Sequence, residues 1–297
     1  MHGWIRALDM DETGGRADSM MDTPRSPDSI WTPSFILGFA TLVAWIVVAI
    51  FADQVAPYDP IKTVGSARQP PSLEFWFGTD RLGRDVLSRV IFGARISLLL
   101  GLISVVMGSV VGSVLGLVSG FYRGWVDTLI MRTTDAMLAF PGILLALVII
   151  AALGPSIENV MIAVGVSTVP RYARLIRGTV LSLREQPYID AARILGVHDV
   201  KIMFRHVLPN ALAPLLVLST LQVGNAISVG AGLSFLGMGA QPPTAEWGLM
   251  AAVGRTVLGK AWWISTFPGF AILTVVMACN LLGDSLRGIL DPRLRSR

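Results

Sequence analysis

Six uncharged runs organise the chain: residues 31–52, 96–122, 136–157, 159–170, 207–245 and 261–283. A helix crossing a bilayer needs about 20 mainly apolar residues. The runs therefore predict helices over roughly 31–52, 96–121, 136–154, 159–182, 210–236 and 262–284. Gly154, Pro155 and Glu158 separate the third from the fourth as a tight hairpin. The fourth run is short, but its helix can continue through Arg171, Arg174 and Arg177. Their three-residue spacing lets the heads reach water while the stems stay apolar, which marks a membrane edge. The fifth run is too long for one span, so Gly237 to Ala245, with Pro242 and Pro243, is expected to leave the helix as an outer loop. The pattern is that of an all-α polytopic membrane protein with six transmembrane helices over 31–290.

Composition agrees, since 53% hydrophobic and 15% charged residues are far too apolar a balance for a soluble chain of 297 residues. With both termini inside, sixteen Lys and Arg fall on the inner side and eight on the outer. The positive-inside rule thus gives cytoplasmic N and C termini, against an outer loop over 53–95 that carries six basic residues. The net charge of +4 follows from this bias, and no aromatic-basic stripe points to nucleic acid. Residues 1–30 read as a disordered cytoplasmic tail without a signal-peptide core, and 291–297 as a second tail. Cys279, the single cysteine, excludes an intrachain disulfide and reads as a packed helix residue. Gly108, Gly112, Gly116 and Gly120 lie on one helix face, which reads as a tight static helix contact before it reads as a sliding one.

The segment Pro187 to Asn210 is a polar insert between apolar runs. Pro187 suits a helix first turn, Asp190 its positive end, and Ala191 and Ala192 supply propensity with little bulk. Gly196 ends that helix, and Asp199 starts a second on which Val200, Phe204 and Val207 share a face; His206 reads as a helix C-terminal residue and Pro209 opens the next segment. The pattern D-A-A-x-x-x-G followed by H-x-L-P, carried by Asp190, Ala191, Ala192, Gly196, His206, Leu208 and Pro209, resembles the cytoplasmic EAA loop of bacterial ABC importer permeases. Asp190 stands where Glu is usual, and His206 where the general pattern has an aliphatic residue. The peptide-importer branch commonly carries R-H-x-L-P-N, as Arg205 to Asn210 do.

Residues 78–97 divide into apolar Val86, Leu87, Val90 and Ile91 and polar Arg84, Asp85, Ser88 and Arg89, which fits an interfacial helix. Asp80 and Asp85 among basic neighbours read as a solvated ion-pair network more readily than as a metal or acid–base pair. Gly78, Thr79, Asp80, Gly83, Arg84 and Asp85, with Ser88 and Arg89, also resemble the G-T-D-x-x-G-R-D-x-x-S-R segment of the dipeptide and oligopeptide permease branch, second-subunit type. Leu233 to Gly239 and Asp291 to Arg293 extend the resemblance over roughly residues 30–295.

The resemblance implies a type I ABC importer permease fold whose loop over 184–209 is the coupling element. It implies a second homologous permease, two ATPase subunits holding ATP and magnesium, an extracytoplasmic solute-binding protein, and no cofactor on this chain. The implied cargo is peptide, with glutathione or nickel as alternatives within the branch. No Asp, Glu, Lys or His falls near the middle of an expected span, which weighs against an ion-coupled carrier, and no catalytic or metal cluster suggests an enzyme. Gly254 to Ala261 satisfies G-x-x-x-x-G-K but lacks the hydroxyl and the preceding strand of a phosphate loop. The spans offer neutral polar groups. Gln222, Asn225, Ser228 and Asn280, with Ser219, Thr220 and Thr274, either bond between helices or line a weakly polar path.

Overall fold

The structure, a computed structural model, describes residues 32–290. The expected tails at 1–30 and 291–297, with Asp291 to Arg293, lie outside the described residues. Helix α1 (Pro33–Ile50) is opened by Thr32, whose hydroxyl accepts the Phe35 N–H at 3.2 Å, with Pro33 in the first turn. After the short α2 (Ala52–Val55) the chain runs without a strand to Asp85, which caps α3 (Val86–Tyr122) by accepting the Ser88 N–H at 2.7 Å. The interfacial helix expected before residue 96 is thus the start of the 37-residue α3 itself. Its polar face is not turned to water but lies beneath segment 56–85, where Ser88 and Arg89 are buried.

The third expected span is divided. Helices α4 (Gly124–Leu138) and α5 (Gly142–Leu153) meet at 94°. Pro141 has no N–H to donate and disfavours helical backbone at Phe140, so the chain turns there. Helix α6 (Ile157–Arg184) has the length of a span, but Arg171, Arg174 and Arg177 cut its apolar content. Then come α7 (Pro187–Ile194), α8 (Asp199–Ile202), a π turn over Met203–Val207, α9 (Leu208–Phe235), α10 (Trp247–Arg255) and α11 (Trp263–Leu290). Among the described residues four helices are long and apolar enough to cross a membrane, or five if the bent α4–α5 pair is one span.

The bundle is built on α3 packed along α6. Gly108, Gly112, Gly116 and Gly120 face Thr168, Tyr172, Ala173 and Val180, and a β-carbon at any of the four would come under 3.0 Å from an α6 atom. This is the close approach that small residues permit between membrane helices. Gly112→Ala is expected to cost about 1–3 kcal/mol by overpacking, read as a lower thermal midpoint in detergent. An unchanged midpoint would show that the helices separate there without loss.

Three apolar clusters run along this axis. At one end Val86 and Val90 pack with Trp247 and Trp263; Leu100, Ile150 and Tyr172 fill the middle; at the other end Leu117 and Phe121 meet Ile176, Ile189 and Ile202. Trp45 on α1 donates to the Thr274 hydroxyl on α11 at 3.0 Å, fastening the outermost helix to the rest.

Candidate functional site: the hairpin at 187–207 and the polar groups of the bundle

Helix α7 starts at Pro187 and stops at Gly196, whose φ of +75° is the left-handed conformation that glycine adopts without strain. The Val197 N–H bonds the Ala192 carbonyl at 3.0 Å and the Gly196 N–H that of Arg193 at 2.9 Å, closing a Schellman turn. His198 Nδ1 accepts the Val200 N–H at 3.4 Å, so α8 begins at once and the two helices form a short hairpin.

Its inner face is anchored. Ile189, Ala192, Ile202, Met203 and Val207 are buried against the α3 and α6 ends, and Arg193 lies over the Phe121 ring at 5.4 Å. Ala192 therefore faces the bundle, whereas Asp190, Ala191 and Gly196 are exposed. Asp190 pairs only loosely with Arg193, at 3.7 Å. The outer face is apolar: Ile194 is 86% and Leu195 81% exposed, joined by Tyr188 and Phe204. Sequence reasoning passed over Tyr188, Ile194 and Leu195, and read Phe204 only as sharing a face with Val200 and Val207. The signal was available, because an eight-residue helix carrying Ile189 and Ala192 on one side and Tyr188, Ala191 and Ile194 on another has more apolar surface than one neighbour can cover.

Val200, Phe204 and Val207 do not share a face, since Val207 is fully buried while Val200 and Phe204 are exposed. The π turn is the reason. Pro209 has no N–H to give to Arg205 and its ring would crowd that carbonyl; the wider turn, with the Leu208 N–H bonded to Met203, inserts one residue and rotates the register. His206 therefore sits inside a continuous helical segment, not at a helix C-terminus, and its carbonyl accepts from the Asn210 side chain at 2.6 Å. Leu208 and Pro209 form the first turn of α9.

At the opposite end the segment 56–85 folds over α3 and is held by buried charge. Gly78 and Gly83 take φ of +72° and +74°, turning the chain so that Asp80 meets Arg84. The Asp80 carboxylate accepts Arg84 Nε at 2.7 Å and the N–H groups of Leu82 and Arg84 at 2.7 and 3.1 Å, with Arg89 Nε 3.6 Å away. Thr79 donates to the Ser66 carbonyl at 2.6 Å. Arg89 donates to the carbonyls of Pro60, Pro243 and Thr244. Asp80, Arg84, Asp85 and Arg89 are all buried, so this network is not solvated. It is a clamp between two loops. Glu246, which sequence reasoning did not single out, is 1% exposed and caps α10 through the Gly248 and Leu249 N–H groups. Burial pushes its carboxyl above the usual carboxylate range, against those two N–H bonds.

The polar groups of the spans do not converge. Gln222 is buried on α9 and takes a 3.4 Å bond from Arg171; Asn225 is half-buried; Ser228 and Asn280 are exposed. Ser228 bonds its own helix at the Gly224 carbonyl, Tyr172 donates to Ser219 at 3.3 Å, and Thr274 holds Trp45. Among the described residues no hydrogen bond joins Gln222, Asn225, Ser228 and Asn280. Gly254 to Ala261 begins in the last turn of helix α10, not after a strand, and Gly254 is packed on Ser265.

Among the described residues the chain is an all-helical bundle of apolar spans with an anchored hairpin whose outer face is apolar. Residues 112–296 match the family described as binding-protein-dependent transport system inner membrane component. Over 256 residues the chain is 48% identical to the glutathione transport system permease protein GsiD of Escherichia coli O6:K15:H31 (strain 536), covering 86% of this chain and 84% of that one. GsiD of Shigella sonnei (strain Ss046) matches to the same extent. Among solved structures, an inward-facing form of the MetNI methionine ABC transporter gives a TM-score of 0.54 at 18% identity, over 68% of this chain and 96% of that one. An amino acid ABC transporter with histidines gives 0.50 at 16% identity, over 71% and 95%. These two share the fold. The chain belongs to the binding-protein-dependent transport system inner membrane component family and is an ABC importer permease subunit. Such permeases work with another permease, ATPases and a binding protein.

Proposed function

We propose that this subunit forms half of a peptide-conducting pathway, with its hairpin at 187–207 docking on an ATPase. In this reading the chain crosses the membrane six times. Helix α6 is one crossing and the bent α4–α5 pair another, and both termini and the hairpin are cytoplasmic. The observation that carries it is the hairpin's construction, one face locked into the bundle ends of α3 and α6 and the other presenting Tyr188, Ile194, Leu195 and Phe204 to no partner among the described residues. A rigid element with an uncovered apolar tip transmits movement of whatever covers that tip. ATP and magnesium belong to two ATPase partners, a second homologous permease completes the pathway, and an extracytoplasmic binding protein delivers cargo. Asp190, Ala191 and Gly196 lie on or beside the docking face; Ala192, His206, Leu208 and Pro209 shape the element from within. The glutathione permeases among the relatives favour glutathione, itself a short peptide, as a specific cargo within the class.

The test is a mild-detergent pull-down of the tagged chain with mass spectrometry. Wild type is expected to recover an ATPase and a second permease, and Gly196→Arg, strained at φ +75°, to lose the ATPase alone. Recovery of the chain by itself, under conditions that preserve other membrane complexes, would overturn the reading. Uptake of labelled glutathione and of a dipeptide then separates the two cargoes.

A further inference from the structure

Three arginines descend α6 at three-residue spacing, and two are neutralised from α4. Arg177 Nε binds Asp127 at 2.6 Å and Arg174 Nη2 binds Asp135 at 2.8 Å. Arg171, the furthest from the helix end, has no carboxylate partner among the described residues. It lies fourteen residues from Ile157, about 21 Å along the helix axis and so within an apolar layer about 30 Å thick. An unpaired guanidinium at that depth is costly, and such groups mark substrate pathways.

Its surroundings hold no acidic side chain. Arg171 lines a cavity of about 350 Å³ at the α4–α5 bend, with Met137, Phe140, Pro141, Gly142 and Ser167. Its Nη2 is 3.9 Å from where a β-carbon on Gly142 would stand, which sets the cation beside the positive N-terminal end of the twelve-residue α5. The 3.4 Å bond to Gln222 Oε1 is long, and the Gln222 Nε2 is buried with no hydrogen-bond partner among the described residues. A guanidinium with no carboxylate partner among the described residues and the N-terminal end of α5 stand at one cavity, an arrangement that suits an anion.

We infer that Arg171, held by Gln222 beside the first turn of α5, is a relay site for the carboxylate of the transported peptide as it leaves the pathway. This rests on the peptide-permease reading and adds the chemical group recognised.

The test uses the complete complex in proteoliposomes, with saturated binding protein, and compares a tripeptide with its C-terminal amide. Arg171→Gln is expected to slow the free acid about tenfold or more, the loss expected of a charged hydrogen bond, and to leave the amide within twofold of wild type. Arg171→Lys is expected to recover most of the acid rate. Equal losses for both peptides, or none, overturn the inference. Loss of the second permease from the Arg171→Gln complex would assign the guanidinium to a partner's carboxylate. A wild-type rate that collapses for both peptides in vesicles lacking anionic lipid would assign it to a lipid headgroup. A second measurement needs no binding protein. With Ser167→Cys, the free acid is expected to slow maleimide labelling when Arg171 is present and not when it is Gln; no protection in either background also overturns it. Wild type that carries neither peptide defeats the peptide-permease reading instead.

Discussion

Asp80→Asn is expected to lower the thermal midpoint of the detergent-solubilised protein by on the order of 10 °C, from a loss of about 3–5 kcal/mol. The carboxylate stands between two arginines that burial has stripped of water, Arg84 at 7% and Arg89 at 4% exposure. Removing the acid leaves two buried cations facing each other, and the loss of one partner of a buried pair costs far more than the pair itself contributes. Asparagine keeps one acceptor for the Leu82 and Arg84 N–H groups but turns an NH₂ toward Arg84 Nε, donor against donor. The clamp that joins 56–85 to the 242–244 loop through Arg89 should loosen with it. Asp59→Asn is the control, since its 3.5 Å pair with Lys62 is solvent-exposed and should leave the midpoint unmoved. Equal midpoints for the two variants would show that the buried network contributes nothing to stability.

The same residues show what a sequence carries and what it withholds. The apolar runs announced the bundle because a span is a local property of some 20 consecutive residues. Gly196 was legible for the same reason: a glycine after a short amphipathic stretch ends a helix wherever the rest of the chain goes. The glycine stripe on α3 predicted a close helix contact, and α6 supplies it. Burial of Asp80 and Arg84 was not legible, because alternating charges in a loop look the same whether water or another loop covers them. Nor was the orientation of Val207. Helical spacing assumes 3.6 residues per turn, and Pro209 removes a hydrogen bond four residues upstream of itself, widening one turn and reversing the faces beyond it. The break at Pro141 was missed because the uncharged run passes straight through it, and with the break went the cavity that holds Arg171.

Leu195→Asp is expected to reduce uptake about 30-fold or more, the cost of losing one interface anchor worth 2 kcal/mol, while the chain keeps its thermal midpoint and its second permease. Leu195 is 81% exposed in the subunit, so a carboxylate there is hydrated and harmless until an apolar groove must take it in. Ala192→Trp makes the contrast that separates docking from folding. Ala192 is 8% exposed and packed with Phe121 and Ile189, so an indole there drives the hairpin off the bundle and lowers the midpoint together with uptake. The two variants lie one helical turn apart and fail for opposite reasons. Substrate-stimulated ATP hydrolysis by the purified complex distinguishes them from a defect in the pathway, since an undocked hairpin leaves the ATPase unresponsive to cargo. Uptake at the wild-type rate in Leu195→Asp would show that the apolar tip is not the surface through which the energy enters.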